Sequence, residues 1–336
     1  MKSVLSHAGL LVLASALAFG VWSKDEKAEK DKPDLVQVWD GNVAGLESVA
    51  FEGKQRKFTL VPRKDALGRY YEIRFERETP APAPKPASSA SASGASVAPE
   101  PPKQEKSYFL GVKAADEAMA KLVSLKALRA LGKADGPRLA DYGLDKPEGT
   151  LKLKLSGKEQ VLTIGGQTPG GGERYARYGS SGEVFAIDGD LVQILSFADS
   201  RLMERELHGF EDTDVKRLRI SKGAKSREVV RLADKKEGWA DAATPTKLDD
   251  GVVNWLTKLE RLRTLEYVEK PTSVPTPDQA LVRIEYFAGT KSLGFLELYK
   301  VADKEYLAKS EYTRAYVKVL AGSAEQLDQD LAAVLK

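Results

Sequence analysis

The residues that most often carry out chemistry are scarce in this chain. It has no cysteine, which removes disulfides, thiolate zinc sites, thiol nucleophiles and lipid-modified cysteines together. It has two histidines, His7 and His208. His7 borders an apolar amino-terminal run, so an imidazole centre would rest on His208 alone. His208 is followed by Gly209 and Phe210 and reads as a junction residue rather than a base. The acidic pairs Asp212/Asp214 and Asp249/Asp250 lack the spacing of a calcium loop, and helix capping accounts for the second pair. No nucleophile-elbow or histidine-metal motif is present. These types and spacings predict no catalytic residue, no metal and no cofactor, hence a protein that is not an enzyme.

Two stretches could instead make contacts. Gly165-Gly166-Gln167-Thr168-Pro169-Gly170-Gly171-Gly172 is rich enough in glycine to cradle an anion on backbone amides. A phosphate loop, however, ends in Gly-Lys-Ser/Thr at a helix start, whereas Glu173-Arg174-Tyr175 follows here. The segment therefore reads as a hairpin loop, with Gly170, Gly171, Gly172 and Arg174 as possible interaction residues. The second stretch is the basic run Lys216, Arg217, Arg219, Lys222, Lys225, Arg227 and Arg231. Lys216, Arg217 and Arg219 could meet anionic lipid or acidic glycan. Alternation with Leu218, Ile220 and Val230 makes the run the solvated face of a sheet. With 52 basic and 49 acidic residues, the net charge of +3 argues against a nucleic-acid partner.

The elements that position these residues begin with a membrane segment. From Ser3 to Ser23 the chain carries no charge, about 20 residues and close to one bilayer span. Trp22 stands where an interfacial aromatic would. Cleavage after Ala16-Leu17-Ala18 is the alternative; the continuing run Phe19-Gly20-Val21-Trp22 favours an uncleaved anchor over residues 1–23. Lys24, Lys27, Lys30 and Lys32 against Lys2 would put the body in the cytoplasm. The signal-type character of the segment places it outside instead, in the periplasm, on a single-pass inner-membrane helix.

Beyond the anchor a weak repeat runs through the chain. Leu122, Leu125, Leu128 and Leu131 match Leu256, Leu259, Leu262 and Leu265, each 134 positions later. Lys113 and Asp116 match Lys247 and Asp250 in the same way. This stretch should open as a helix, with Asp116 or Asp249 capping it. Upstream, Leu46, Val49 and Phe51 match Val215, Leu218 and Ile220 at an offset of 169. Downstream, Leu151, Leu153, Leu155 and Tyr175 match Val282, Ile284, Tyr286 and Tyr306 at 131. Period-two alternation marks antiparallel strands, and apolar helices at 190–197 and 324–335 would close each copy. Most of the 35-residue excess in the first copy falls on Thr79 to Lys106, rich in Pro, Ala and Ser. That composition cannot offset its ordering entropy by burial, so 79–106 should be a disordered or loosely extended excursion between a strand and the helix. The expected class is α+β: two tandem units of antiparallel sheet plus helices, over 34–206 and 207–336, after one transmembrane helix.

The turn Asp141-Tyr142-Gly143-Leu144-Asp145-Lys146-Pro147, the stretch Ile164-Gly165-Gly166-Gln167-Thr168-Pro169 and Tyr175-Ala176-Arg177 resemble a bacterial family. It is a domain-of-unknown-function family of anchored envelope proteins associated with gliding-motility-type ABC transporters. The likeness is closest over 141–206, and the second copy lacks both motifs. It implies an accessory or scaffold role in an ABC-type transport or motility complex, with protein partners and no catalytic residues to carry over. The alternative is a module that binds cell-envelope glycan or another anionic polymer.

Overall fold

The computed structural model describes residues 35–79, 103–179, 181–233, 238–269 and 275–336. The expected anchor, 1–23, and most of the Pro/Ala/Ser stretch, 80–102, lie outside them. Among the described residues no helix is long and apolar enough to cross a membrane.

The chain is mixed α+β and is built on two large antiparallel sheets. The first half runs β1 (Val36–Gln37), β2 (Leu46–Gly53), β3 (Arg56–Asp65), β4 (Gly68–Thr79), β5 (Lys103–Gly111), α1 (Lys113–Val123), β6 (Lys126–Ala127), β7 (Arg129–Lys133) and α2 (Arg138–Asp141). It continues with β8 (Gly149–Leu155), β9 (Lys158–Gln167), β10 (Glu173–Tyr178), β11 (Glu183–Asp188), α3 (Gly189–Ser196) and α4 (Ala198–Arg201). The second half runs β12 (Arg217–Lys222), β13 (Lys225–Arg231), β14 (Trp239–Asp241), α5 (Asp250–Leu259), β15 (Thr264–Val268), β16 (Val282–Ala288), β17 (Lys291–Ala302), β18 (Glu305–Ser310), β19 (Tyr316–Val319) and α6 (Ala321–Val334).

The nine-stranded sheet has the order β5-β4-β3-β2-β8-β9-β10-β11-β7, and the eight-stranded sheet β14-β13-β12-β16-β17-β18-β19-β15. Without its edge strand β5, the first order is the second, element for element in chain sequence. Each sheet buries one face under its helices. Val49, Phe51, Leu151 and Leu153 do so in the first sheet, and Leu218, Ile220, Ile284 and Tyr286 in the second. One apolar core runs through both halves. Indole N–H groups pin the helices from inside: Trp39 donates to the Leu122 carbonyl at 2.8 Å and Trp255 to the Leu327 carbonyl at 3.0 Å.

Three expectations need correction. Thr79 and Lys103–Lys106 are strand, not disordered chain, since Thr79 faces Lys103 and Glu76 faces Lys106 across a ladder. Pairs such as Lys106–Glu76 at 2.8 Å and Arg77–Glu105 at 2.6 Å line that ladder, so charge pairing supplies what apolar content does not. The excursion thus joins two strands rather than a strand and a helix. Asp249 caps α5, accepting from the Val252 N–H at 3.0 Å, but Asp116 caps nothing. It lies inside α1, after the uncapped Val112, and accepts from the Tyr71 hydroxyl at 2.6 Å. Finally, Lys113 opens α1 and Asp250 opens α5, 137 positions apart rather than 134.

Candidate functional site

The two halves meet at a connecting segment, Met203 to Val215, which ends in a 3-10 turn at Asp212–Asp214 and whose backbone is stitched to both. The Glu204 N–H donates to the Leu110 carbonyl of β5 at 2.8 Å, and the Arg205 carbonyl accepts from Thr264 of β15 at 2.9 Å. Ser310 donates to the Leu207 carbonyl at 2.6 Å, and Tyr267 to the Glu204 carbonyl at 3.1 Å. Farther along the seam, Arg314 grips Asp65 through two bonds of 2.6 and 2.9 Å, with its guanidinium over the Tyr70 ring. Gly209 is required by packing: a Cβ there would lie 2.5 Å from the Tyr312 ring.

His208 sits in the middle of this seam. Its ring stacks on Phe210 with centroids 4.3 Å apart and tilts against Tyr286 at 5.7 Å. Its Nε2 is 4.0 Å from Asp212 and its side chain is 25% exposed. Two grooves and a cavity lie along this segment. The first groove, about 490 Å³, runs between the start of α1, the seam and Tyr312. Its charged lining is Glu117, Glu204, Glu206, Glu211 and Asp212 against Lys113. The second, about 450 Å³, runs between Glu211–Thr213 and α5 and adds Glu260, Arg231 and Trp239. Between them is a cavity of about 40 Å³, walled largely by apolar groups such as Leu207, Val215, Leu256 and Leu259. His208 lines the cavity and the first groove, and Asp212 lines all three spaces. Burial, reinforced by the Glu204 carboxylate, pushes the Tyr312 hydroxyl well above its usual range, so it stays a proton donor. Among the described residues no three His, Cys, Asp or Glu side chains gather as a metal would require.

The glycine stretch and the basic run lie elsewhere, in different halves. Gly165 and Gly166 belong to β9, while Gly170, Gly171 and Gly172 are exposed in the β9–β10 loop. That loop is tied down. The Gly171 N–H donates to the Thr168 carbonyl at 3.0 Å, and the Gly189 N–H to the Gly172 carbonyl at 3.1 Å. Gly170 and Gly171 have φ of +106° and +86°, a backbone that suits glycine. The corresponding connection in the second sheet, after Ala302, is only two residues long, with Lys304 at φ +55°. Its lack of glycine therefore says nothing about the longer loop. Arg174 is largely buried in β10, 3.3 Å from Glu148.

The residues of the resemblance meet here. The Gly166 N–H donates to the Tyr142 carbonyl at 2.8 Å, so the Tyr-Gly-Leu turn lies backbone to backbone on β9. Gly143, at φ +64°, and Gly165 leave room for that approach. Tyr142 packs edge-on to Tyr175 at 4.8 Å.

The basic run forms the β12–β13 hairpin, and its charges are matched. Arg217 and Arg219 both reach Glu228, at 3.2 and 2.7 Å, and Arg217 also lies over Phe287. The bond from Arg219 holds the Glu228 carboxyl below the usual range. Lys216 donates to the Thr213 carbonyl at 2.8 Å, and Arg227 bonds Asp241 and Asp249 at 2.8 and 2.7 Å. Sequence reasoning passed over the seam, although five acids crowd into 204–214 around the His208-Gly209-Phe210 triplet.

No curated protein and no solved structure matches the chain. A family model described as "Domain of unknown function (DUF4340)" matches residues 110–280, just over half the chain. The matched span contains the Tyr-Gly-Leu turn, the glycine loop and nearly all of the seam with its grooves. On that coverage, the chain belongs to the DUF4340 family.

Proposed function

We propose that this protein is a non-enzymatic, membrane-anchored scaffold of the bacterial envelope, an accessory subunit of an ABC-type transport or motility assembly. In this reading the folded part is one sheet-and-helix unit used twice, and residues 1–23 hold it at the inner membrane with the body in the periplasm. The observation that carries it is the seam: two sheets of like strand order, hydrogen-bonded to one connecting segment, with the first groove walled by Lys113 and Glu117 of one half and Tyr312 of the other. Such a site exists only when the halves are joined, as a docking platform requires. The anionic-polymer reading loses its support on β12 and β13, where Glu228, Asp241 and Asp249 already occupy the arginines.

Affinity capture of the full chain from native membranes, followed by mass spectrometry, tests the assignment. Transporter or motility subunits should co-purify, and should be lost when a bulky residue is placed at Gly209. Retention on purified cell wall without protein partners would sink the scaffold reading. Protease added to spheroplasts should digest the body; a protected body would overturn the periplasmic placement.

A further inference from the structure

We infer that the seam binds an extended protein segment in which basic residues flank one aliphatic anchor, the anchor entering the cavity beside His208. This rests on the scaffold reading and names the chemistry of its partner. The cavity is the first reason. Its 40 Å³ is about three times the space that one ordered water needs, and its walls are mainly leucine, valine and aromatic carbon. Charged side chains such as Glu206, Asp212 and Arg263 border it too, but the apolar walls dominate, so an apolar group of a ligand would gain dispersion contacts there. It also shares walls with both grooves. Asp212 borders the cavity and both grooves, and the half-buried His208 ring borders the cavity and the first groove.

Charge is the second reason. The first groove presents five carboxylates against one lysine; Glu206 is paired with Arg263 at 3.2 Å and Glu204 accepts from Tyr312, which leaves Glu117, Glu211 and Asp212 to carry most of its charge. In the second groove the Arg231 guanidinium is turned to protein, donating to the Val215 and Asp212 carbonyls and lying 4.5 Å over Trp239. The first groove thus favours cations beside an apolar pit, and Glu211 and Asp212 carry that charge to the edge of the second groove. A chain crossing from one to the other places its central residue over the pit and its neighbours among the acids. Central apolar anchoring with a charged surround is the usual energetic layout of a protein docking site.

The test uses the full chain in detergent and three short capped peptides, with binding followed by calorimetry at low salt. They are a lysine pentapeptide with leucine at its centre, the same with central serine, and the leucine peptide with glutamate for lysine. The leucine–lysine peptide should bind one per chain, at least roughly tenfold tighter than either control. Glu117→Lys and Glu211→Lys, both at exposed positions, should each weaken it by roughly tenfold while leaving Tm unchanged. Val215→Phe, which fills the cavity, should abolish the preference for leucine over serine; Val215→Ile serves if the larger residue unfolds the protein. Equal binding of the leucine and serine peptides, or no saturable binding at all, overturns the inference. Capture of transporter subunits by a Val215 variant that has lost the peptide would overturn this site and leave the scaffold role standing.

Discussion

Replacing Gly165 by alanine should be among the costliest single-methyl changes available in this protein. A Cβ built on Gly165 lies 2.3 Å from the Tyr142 carbonyl oxygen and 3.1 Å from the Leu144 side chain. Ordinary carbon–oxygen contact is about 1 Å longer, so the carbonyl must retreat by that much or β9 must bend. The Gly166 N–H now donates to that oxygen at 2.8 Å, and the retreat breaks the bond. Losing it while leaving a partly buried amide unpaired costs about 1–3 kcal/mol. Overpacking against Leu144 adds about 1–2 kcal/mol, for a total near 3 kcal/mol. The matched control is Gly172→Ala, which meets nothing within 4 Å at a φ outside the left-handed region and should fall within about 0.5 kcal/mol of wild type. Gly170→Ala also meets nothing, but its φ of +106° should cost about 1–2 kcal/mol. Urea titrations of the three variants, followed by tryptophan fluorescence, give the ranking. A Gly165→Ala midpoint equal to wild type, or one no lower than that of Gly172→Ala, would refute the close-approach argument for the family motif.

Leu125 and Leu262 are both 2% exposed and close the same end of α1 and α5, so truncating either to alanine should cost about 2–5 kcal/mol in the same titration. The bond from Arg227 holds the Asp241 carboxyl below its usual range; burial opposes this at Asp249, but the Val252 amide and Arg227 outweigh it. A depressed carboxylate stabilises above its unfolded value, near 4, and the contribution fades as pH falls through the lower folded value. Stability should therefore drop steeply below about pH 4, and Arg227→Met should be less stable at neutral pH with a flatter acid limb.

Several features were legible in the sequence because they rest on side-chain alternation or a cap. The β12–β13 hairpin, the alternating strands β8 and β16, and Asp249 at the head of α5 are examples. Others were not, because they depend on what one segment does to another. The Pro/Ala/Ser stretch gives no sign that Lys103–Lys106 will pair with β4, since only the partner strand supplies the charges that match it. The seam was illegible for a similar reason: Glu117, Glu204 and Tyr312 lie far apart in the chain and share a groove only after the halves dock.

The misalignments of the two halves show the limit most clearly. Read as copies, the halves are fixed by pairing: Val49 faces Leu153 in the first sheet, and its counterpart Leu218 faces Tyr286 in the second. Leu153 therefore corresponds to Tyr286, two residues from the partner that sequence matching chose. In the helices the correct shift is 137, three more than the leucines suggested, so Met119, Leu122 and Leu125 correspond to Leu256, Leu259 and Leu262. Burial agrees, since all six are at most 6% exposed. Each error is close to one period of its element: two residues in a strand, and three in a helix of 3.6 per turn. A slip of one period leaves every apolar residue on the buried face, so hydrophobic pattern alone cannot detect it. A slip of odd length in a strand does change the face. Tyr175 packs on Tyr142 outside the main core, whereas Tyr306 is inside it, so the two were never equivalent. Periodicity thus identifies the face of an element and leaves its register open, and cross-strand pairing then sets the register.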